Sequence, residues 1–242
     1  MARAADGARL AVLIDADNAR AQHIENLLVE IAKYGTASVR RAYGDWTSTQ
    51  LGSWKGELLE HSVQPIQQFS YTTGKNATDS ALIIDAMDLL HAGNLDGFCL
   101  VSSDSDFTRL AARIREEGLT VYGFGERKTP KPFVAACDTF VYVENLAAPK
   151  TATTAAAAKP AFTRDPKLDK LLAEAVEAAA GDDGWAQLGT VGSNLSRLAS
   201  DFDSRTWGYT KLTDLMRAHP DYKVESRSTG EGKPANAYVR RK

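Results

Sequence analysis

The 242-residue chain has only two cysteines, Cys99 and Cys137. Both lie in apolar contexts with no second cysteine or ligand-spaced histidine nearby, which argues against a thiolate zinc site and reads both as core residues. Such sparse cysteine suits a reducing cytoplasm, the expected compartment. No apolar run approaches the roughly 18 residues that a membrane span needs, so no membrane partner is expected. The stretch MARAADGARLAVLIDAD sets charge on both sides of a short apolar run and reads as a strand leading into acids, not a secretory signal. Net charge is nearly absent as well, at −2. There is thus no global attraction for a polyanion, and any nucleic-acid contact must come from local charge.

What is present is the composition of a globular protein, 43% hydrophobic and 25% charged. The length suits one domain of ordinary size and a smaller one. Between them, AAPKTATTAAAAKPAF (147–162) shifts abruptly to Ala, Thr, Pro and Lys without apolar periodicity. The expected organisation is a domain over 9–146, a linker over 147–165 and a module over 166–242.

In the first domain, short apolar runs alternate with helical patterns. Strands are expected at 10–15, 37–44, 63–69, 97–103 and 119–125, with a last one in TFVYVENL. Helices are expected near 20–34, over 50–61, over 79–91 and in FTRLAARIREEG. This alternation predicts an α/β fold, a parallel sheet with helices on both faces. Sites of such sheets lie beyond the carboxyl ends of the strands. After the linker, three short helices and a terminal hairpin, YKVESRST with NAYVRRK, describe a winged-helix type of module.

The acids fall at those strand ends. Asp15 directly follows AVLI, Asp104 and Asp106 follow FCLVSS, and Asp79 opens the helix that precedes that second strand. If the two strands are neighbours, four carboxylates meet at one crevice, and a divalent cation relieves their repulsion. Mg²⁺ and Mn²⁺ choose hard oxygen ligands of this kind. Asp79 also fits a helix N-terminal acid favoured by the macrodipole, and Asp104 or Asp106 a helix cap, as the lesser readings. Asn18 is placed either to hold a water or phosphate oxygen, or to cap the following helix. Asp85 is either a group behind the ligands or a solvated residue, while Asp17 and Asp88 read as surface acids. Ser102 and Ser103 either support the cluster or satisfy the strand end, with Ser103 taken as the supporting residue. No histidine is near, so cation-activated water is the expected nucleophile.

At these residues the chain resembles the NYN family, a branch of the PIN-like nuclease fold. The resemblance covers roughly residues 9–146 and rests on LIDADN, GKNATDSALIIDAMDLL and LVSSDSDFTRLAARIREEGLTVYGFG. It implies a metal-dependent ribonuclease that hydrolyses phosphodiester bonds by in-line attack of water. Asp15, Asp79, Asp104 and Asp106 fall on the family's acidic positions. Lys75 is displaced from the family's K-G-x-D-like loop and is given no catalytic role. The segment from GDDGW to PDYKVE resembles the LOTUS module, also called OST-HTH, which implies RNA binding, to single-stranded, structured or G-rich RNA. Arg205, Lys211 and Arg217 on or before its third helix, with Arg240, Arg241 and Lys242 on the wing, form the expected phosphate-contacting face. The aromatic residues Trp185, Phe202, Trp207 and Tyr209 are expected, with Leu212 and Leu215, to build a small core.

Two rival readings exist. DAD at 15–17 imitates the nucleophile motif of haloacid dehalogenase phosphatases, which would use Asp17 as acid/base, although the later lysine of that chemistry is not evident. The other rival is an RNA-binding adaptor that no longer cuts.

Overall fold

The first strand, β1 (Arg9–Asp15), is buried from Leu10 to Asp15, as expected of a central strand covered on both faces. The computed structural model describes residues 7–69, 77–146, 162–227 and 235–242. Lys75 and most of the expected linker lie outside them. The chain divides into two compact units, Met1–Thr151 and Ala152–Lys242.

In the first unit, β1 is followed by α1 (Ile24–Ile31), β2 (Thr36–Gly44), α2 (Trp54–Glu60), β3 (Gln64–Gln67), α3 (Ala77–His91), β4 (Gly97–Val101), α4 (Thr108–Glu116), β5 (Thr120–Gly125), α5 (Lys131–Ala136) and β6 (Thr139–Tyr142). The six strands form one sheet in the order β3-β2-β1-β4-β5-β6, and every pairing is parallel. The expected α/β class is what the structure shows. The order reverses between β1 and β4, so the crevice of this doubly wound sheet opens beyond the carboxyl ends of those two strands.

Each face carries its own core. Leu82, Ala86 and Leu90 of α3, with Leu110 and Ile114 of α4 and Phe133 of α5, pack against Leu13, Tyr43 and Phe98. Ile24, Leu27 and Ile31 of α1, with Trp54 of α2, pack against Val12, Ile14 and Cys99 on the other face. Helix α3 earns its place through an i, i+4 stripe of Leu82, Ala86 and Leu90, all buried. Pro65 sits in β3, an edge strand, where a missing N–H costs no ladder bond. Cys99 and Cys137 are buried, and burial pushes both thiols up, that of Cys137 to about 12.

Helix α5 was not expected. It is one and a half turns long and opens on prolines, so it has little periodicity to read. The glycines of VYGFG have a steric reason. A Cβ on Gly123 would stand 2.6 Å from Cys137 Sγ, and one on Gly125 would stand 2.6 Å from the Ser102 carbonyl oxygen. Only glycine lets the end of β5 lie this close to the turn after β4.

The second unit contains α6 (Pro166–Glu177), β7 (Ala186–Gln187), α7 (Leu188–Leu198), α8 (Leu212–Ala218), β8 (Tyr222–Arg227) and β9 (Asn236–Arg241). Its sheet is three-stranded and antiparallel, ordered β7-β9-β8, rather than the two-stranded hairpin expected. Strand β7 is only two residues long, below what alternation can reveal. Leu168, Leu172, Val191, Leu195, Leu215 and Val239 centre its core.

Candidate metal centre at the first and fourth strands

Strand pairing aligns the residues that matter. Ile14 pairs with Val101 and Asp15 with Tyr43, so Asp15 emerges between β2 and β4, beside the turn that starts at Ser102. Asp15 is fully buried. Burial pushes its carboxyl up, and hydrogen bonds from Ser102 and Asn18 oppose that shift. Ser102 Oγ donates to Asp15 Oδ2 at 2.7 Å, and Asn18 Nδ2 donates to the same oxygen at 2.8 Å. The Asn18 backbone N–H reaches Oδ1 at 3.3 Å. Asn18 therefore orients Asp15, and the residue preceding the next helical turn, its N-cap, is Arg20 instead.

The turn after β4 supplies two more acids. Asp104 is the N-cap of the 3-10 turn Ser105–Phe107, and its Oδ1 accepts the Asp106 N–H at 2.9 Å. The Asp104 N–H donates to Ser102 Oγ at 3.1 Å, so one serine hydroxyl links Asp15 to this turn. The cap reading of Asp104 thus holds, and the same carboxylate also belongs to a cluster. Asp79, Asp104 and Asp106 bring carboxylate oxygens within 4.8 Å of one another.

Asp79 comes from the first turn of α3 and is only 9% exposed. Burial, then the charges of Asp15, Asp104, Asp106 and Asp17, push its carboxyl up to about 6. Asp15, engaged by Ser102 and Asn18, is the foremost of the charges that act on Asp79. The donor set fits a hard divalent cation. It consists of three carboxylates whose oxygens lie within 4.8 Å of one another, the hard donors that such a cation takes.

The remaining expected residues fall as follows. Ser103 Oγ accepts the Glu126 N–H at 2.8 Å, tying the turn to β5; Ser102, and not Ser103, touches the acids. Asp17 is exposed, yet it accepts from Thr78 Oγ1 at 2.8 Å and so belongs to the rim of the site. Asp88 is exposed, as expected. Asp85 pairs instead with Arg41 and the Tyr43 hydroxyl, docking α3 onto β2.

In the second unit, Arg205 is held by Asp203, with Arg205 Nε 2.8 Å from Asp203 Oδ2. Lys211 and Arg217 are exposed before and on α8, and Arg240, Arg241 and Lys242 are exposed at the end of the wing. Tyr209 and Leu215 belong to the core, and Phe202, Trp207 and Leu212 pack against it. Trp185 does something further, stacking beneath two guanidinium groups. Arg227 was missed, although alternation along β8 sets it on one face with Lys223 and Glu225.

The NYN domain model matches residues 9–144, and the OST-HTH/LOTUS domain model matches residues 163–234. No curated protein matches the chain. Similar solved structures include a protein of unknown function from Vibrio parahaemolyticus, 20% identical, with a TM-score of 0.49 over 58% of this chain and 96% of that one. A Nitrosomonas europaea protein, solved by solution NMR, is 35% identical over 39% of this chain and 90% of its own, with a TM-score of 0.30. A Chromobacterium violaceum fragment is 28% identical over 34% of this chain and 86% of its own, with a TM-score of 0.27. With a PIN-like sheet carrying acids at its switch point and more than half its length matched, the chain belongs to the NYN domain family and carries an OST-HTH/LOTUS domain behind it.

Proposed function

We propose that the protein is a metal-dependent ribonuclease whose C-terminal module captures the RNA that the N-terminal unit hydrolyses. The observation that carries this reading is the trio Asp79, Asp104 and Asp106 at the switch point of an NYN fold, joined in one chain to an OST-HTH/LOTUS domain. The trio would hold Mg²⁺ or Mn²⁺. When bound, such a cation stabilises the charge that gathers on a phosphoryl group and lowers the pKa of water.

The chain's own residues do the rest. Asp15, fixed by Ser102 and Asn18, places a buried negative charge behind Asp79 and draws positive charge into the site. Asp104 caps the turn that carries Asp106, so both carboxylates are set by one short loop. The link from Ser103 to the Glu126 amide holds that loop against β5. A site preorganised in this way spends little on rearrangement when a phosphodiester arrives. In hydrolysis, the water oxygen bonds to phosphorus, the bond to the leaving oxygen breaks, and that oxygen takes up a proton.

The test is direct. Purified protein should shorten labelled single-stranded RNA with Mn²⁺ and leave it intact with a chelator. RNA that is bound but never cut under either condition would favour the adaptor reading.

A further inference from the structure

The wing sheet of the second unit has an outer face that its core does not use. In β8 and β9, Lys223 pairs with Arg240, Glu225 with Tyr238, and Arg227 with Asn236. Directly opposed residues of an antiparallel pair share a face. The alternate pair, Val224 with Val239, points into the core, so Lys223, Arg227, Tyr238 and Arg240 look outward. Strand β7 extends this face. Gln187 pairs with Tyr238 and Ala186 with Val239, so Trp185 falls one position beyond, level with Arg240.

These side chains form a stack. The Arg227 guanidinium carbon lies 4.3 Å from the Trp185 ring centroid and 5.0 Å from that of Tyr238. The Arg240 guanidinium carbon lies 4.9 Å from Trp185. Gly184, at φ +73°, brings backbone against the stem of Arg240, where an added Cβ would meet Cδ at 3.5 Å. Two arginines are thus held over a buried tryptophan, which limits the rotamer freedom they have left to lose on binding. Asp183 reaches Arg227 at 3.5 Å, and Glu225 reaches Arg227 at 3.7 Å and Lys223 at 2.9 Å. Three cations against two carboxylates leave the face positive. By contrast, on the helix face Arg205 is neutralised by Asp203 and Asp214 lies in the first turn of α8.

We propose that this outer wing face, through Tyr238, Arg227 and Arg240, is the surface on which unpaired RNA lies. Bases stack on aromatic rings and on guanidinium planes alike, and single strands are followed by grooves that mix the two. The arginine N–H edges remain for phosphates. The proposal rests on the reading of the second unit as an RNA-binding module and adds where and how the strand is held.

The experiment uses the full chain and a labelled single-stranded RNA in chelator, so that cleavage does not intrude. Substituting Arg227→Gln with Arg240→Gln should weaken binding at least tenfold and lower the slope of log affinity on log salt by about 1.4. Tyr238→Ala should weaken binding about tenfold and Tyr238→Phe hardly at all, since the ring is what stacks. Both substitutions remove the same hydroxyl, so their difference isolates the ring, and a thermal melt of each variant shows that it is folded. Paired Lys211→Gln and Arg217→Gln on the helix face should matter less. No binding by the parent protein, or an affinity that follows the helix pair and ignores the wing residues, would overturn the proposal. Cleavage with Mn²⁺ is scored separately, so a protein that binds through the wing without cutting refutes the nuclease reading alone.

Discussion

Ser102 donates its hydroxyl to Asp15 across two neighbouring strands, at 2.7 Å, and accepts the Asp104 N–H with the same oxygen. One buried side chain thus joins the acid that ends β1 to the turn that carries Asp104 and Asp106. A hydrogen bond to a buried carboxylate contributes about 1.5–3 kcal/mol. Ser102→Ala should therefore destabilise the first unit by about 2 kcal/mol and reduce RNA cleavage strongly. Ser103→Ala removes only an acceptor for the Glu126 amide and should leave cleavage much closer to the parent. Urea unfolding beside one cleavage assay checks both. Equal losses of cleavage in the two variants would contradict the assignment.

Helix α3 is docked by a second relationship, Asp85 with Arg41 and the Tyr43 hydroxyl, all half-buried or buried. Arg41 Nε is also buried with no hydrogen-bond partner, so the pair already carries an uncompensated donor. Removing Asp85 would leave the half-buried guanidinium without its counter-charge, which costs several kcal/mol in a dry interior and less here, where water reaches it. Asp85→Ala should destabilise by about 2–3 kcal/mol, and combining Arg41→Met with Asp85→Leu should recover much of the loss. A double variant no more stable than Asp85→Ala would show that the pair does not act as a unit.

The residues differ in how far the sequence alone could reach. Asp15, Asp79, Asp104 and Asp106 were legible because each lies at a strand end or helix start marked by an apolar run, and β1 pairs with β4 as their convergence requires. The division of labour among them was not legible. That Ser102 holds Asp15 while Asp79, Asp104 and Asp106 face one another is set by tertiary packing, which spacing cannot resolve. Asn18 and Asp17 were ambiguous for the same reason, since their partners, Asp15 and Thr78, are set by tertiary packing. Helix α5 and strand β7 were too short to show a period. The stack on Trp185 arises from cross-strand pairing, which links residues more than forty positions apart.

Asp106 tests whether the turn after β4 binds a cation or only starts a helix. Its carboxylate stands within 4.8 Å of those of Asp79 and Asp104, and like charges near 4 Å repel by about 1 kcal/mol in water and about 4 at an effective dielectric of 20. Asp106→Asn keeps the shape and removes one charge. Metal-free protein should melt a few degrees higher, the stabilisation by Mn²⁺ should shrink, and cleavage should fall by roughly a hundredfold or more. A variant that melts, binds Mn²⁺ and cuts like the parent would reduce the turn to a helix start.

Asp79 makes the cluster sensitive to pH, with a definite sign. Its carboxyl titrates near an ordinary 3.8 in the unfolded chain and at about 6 in the folded one, mainly through burial and then through its acidic neighbours. Between those values the folded protein binds more protons than the unfolded chain, so this group's contribution to stability is complete below about pH 4 and lost as pH rises through about 6. Asp15 shifts in the same direction. The half-buried carboxylates Glu126 and Asp165 shift the opposite way, so the parent's melting curve alone mixes the two signs. Comparison with Asp79→Asn isolates the group. The variant should be more stable than the parent near neutral pH without metal, and the gap should close toward about pH 4. Mn²⁺ should reverse the order near neutrality, because the parent's carboxylate then meets a cation instead of its neighbours' charges, and should have little effect near about pH 4, where protons compete for the same oxygens. Thermal melts of both proteins across this range, with and without Mn²⁺, provide the reading; a gap that stays constant with pH would mean that Asp79 does not titrate within a carboxylate cluster.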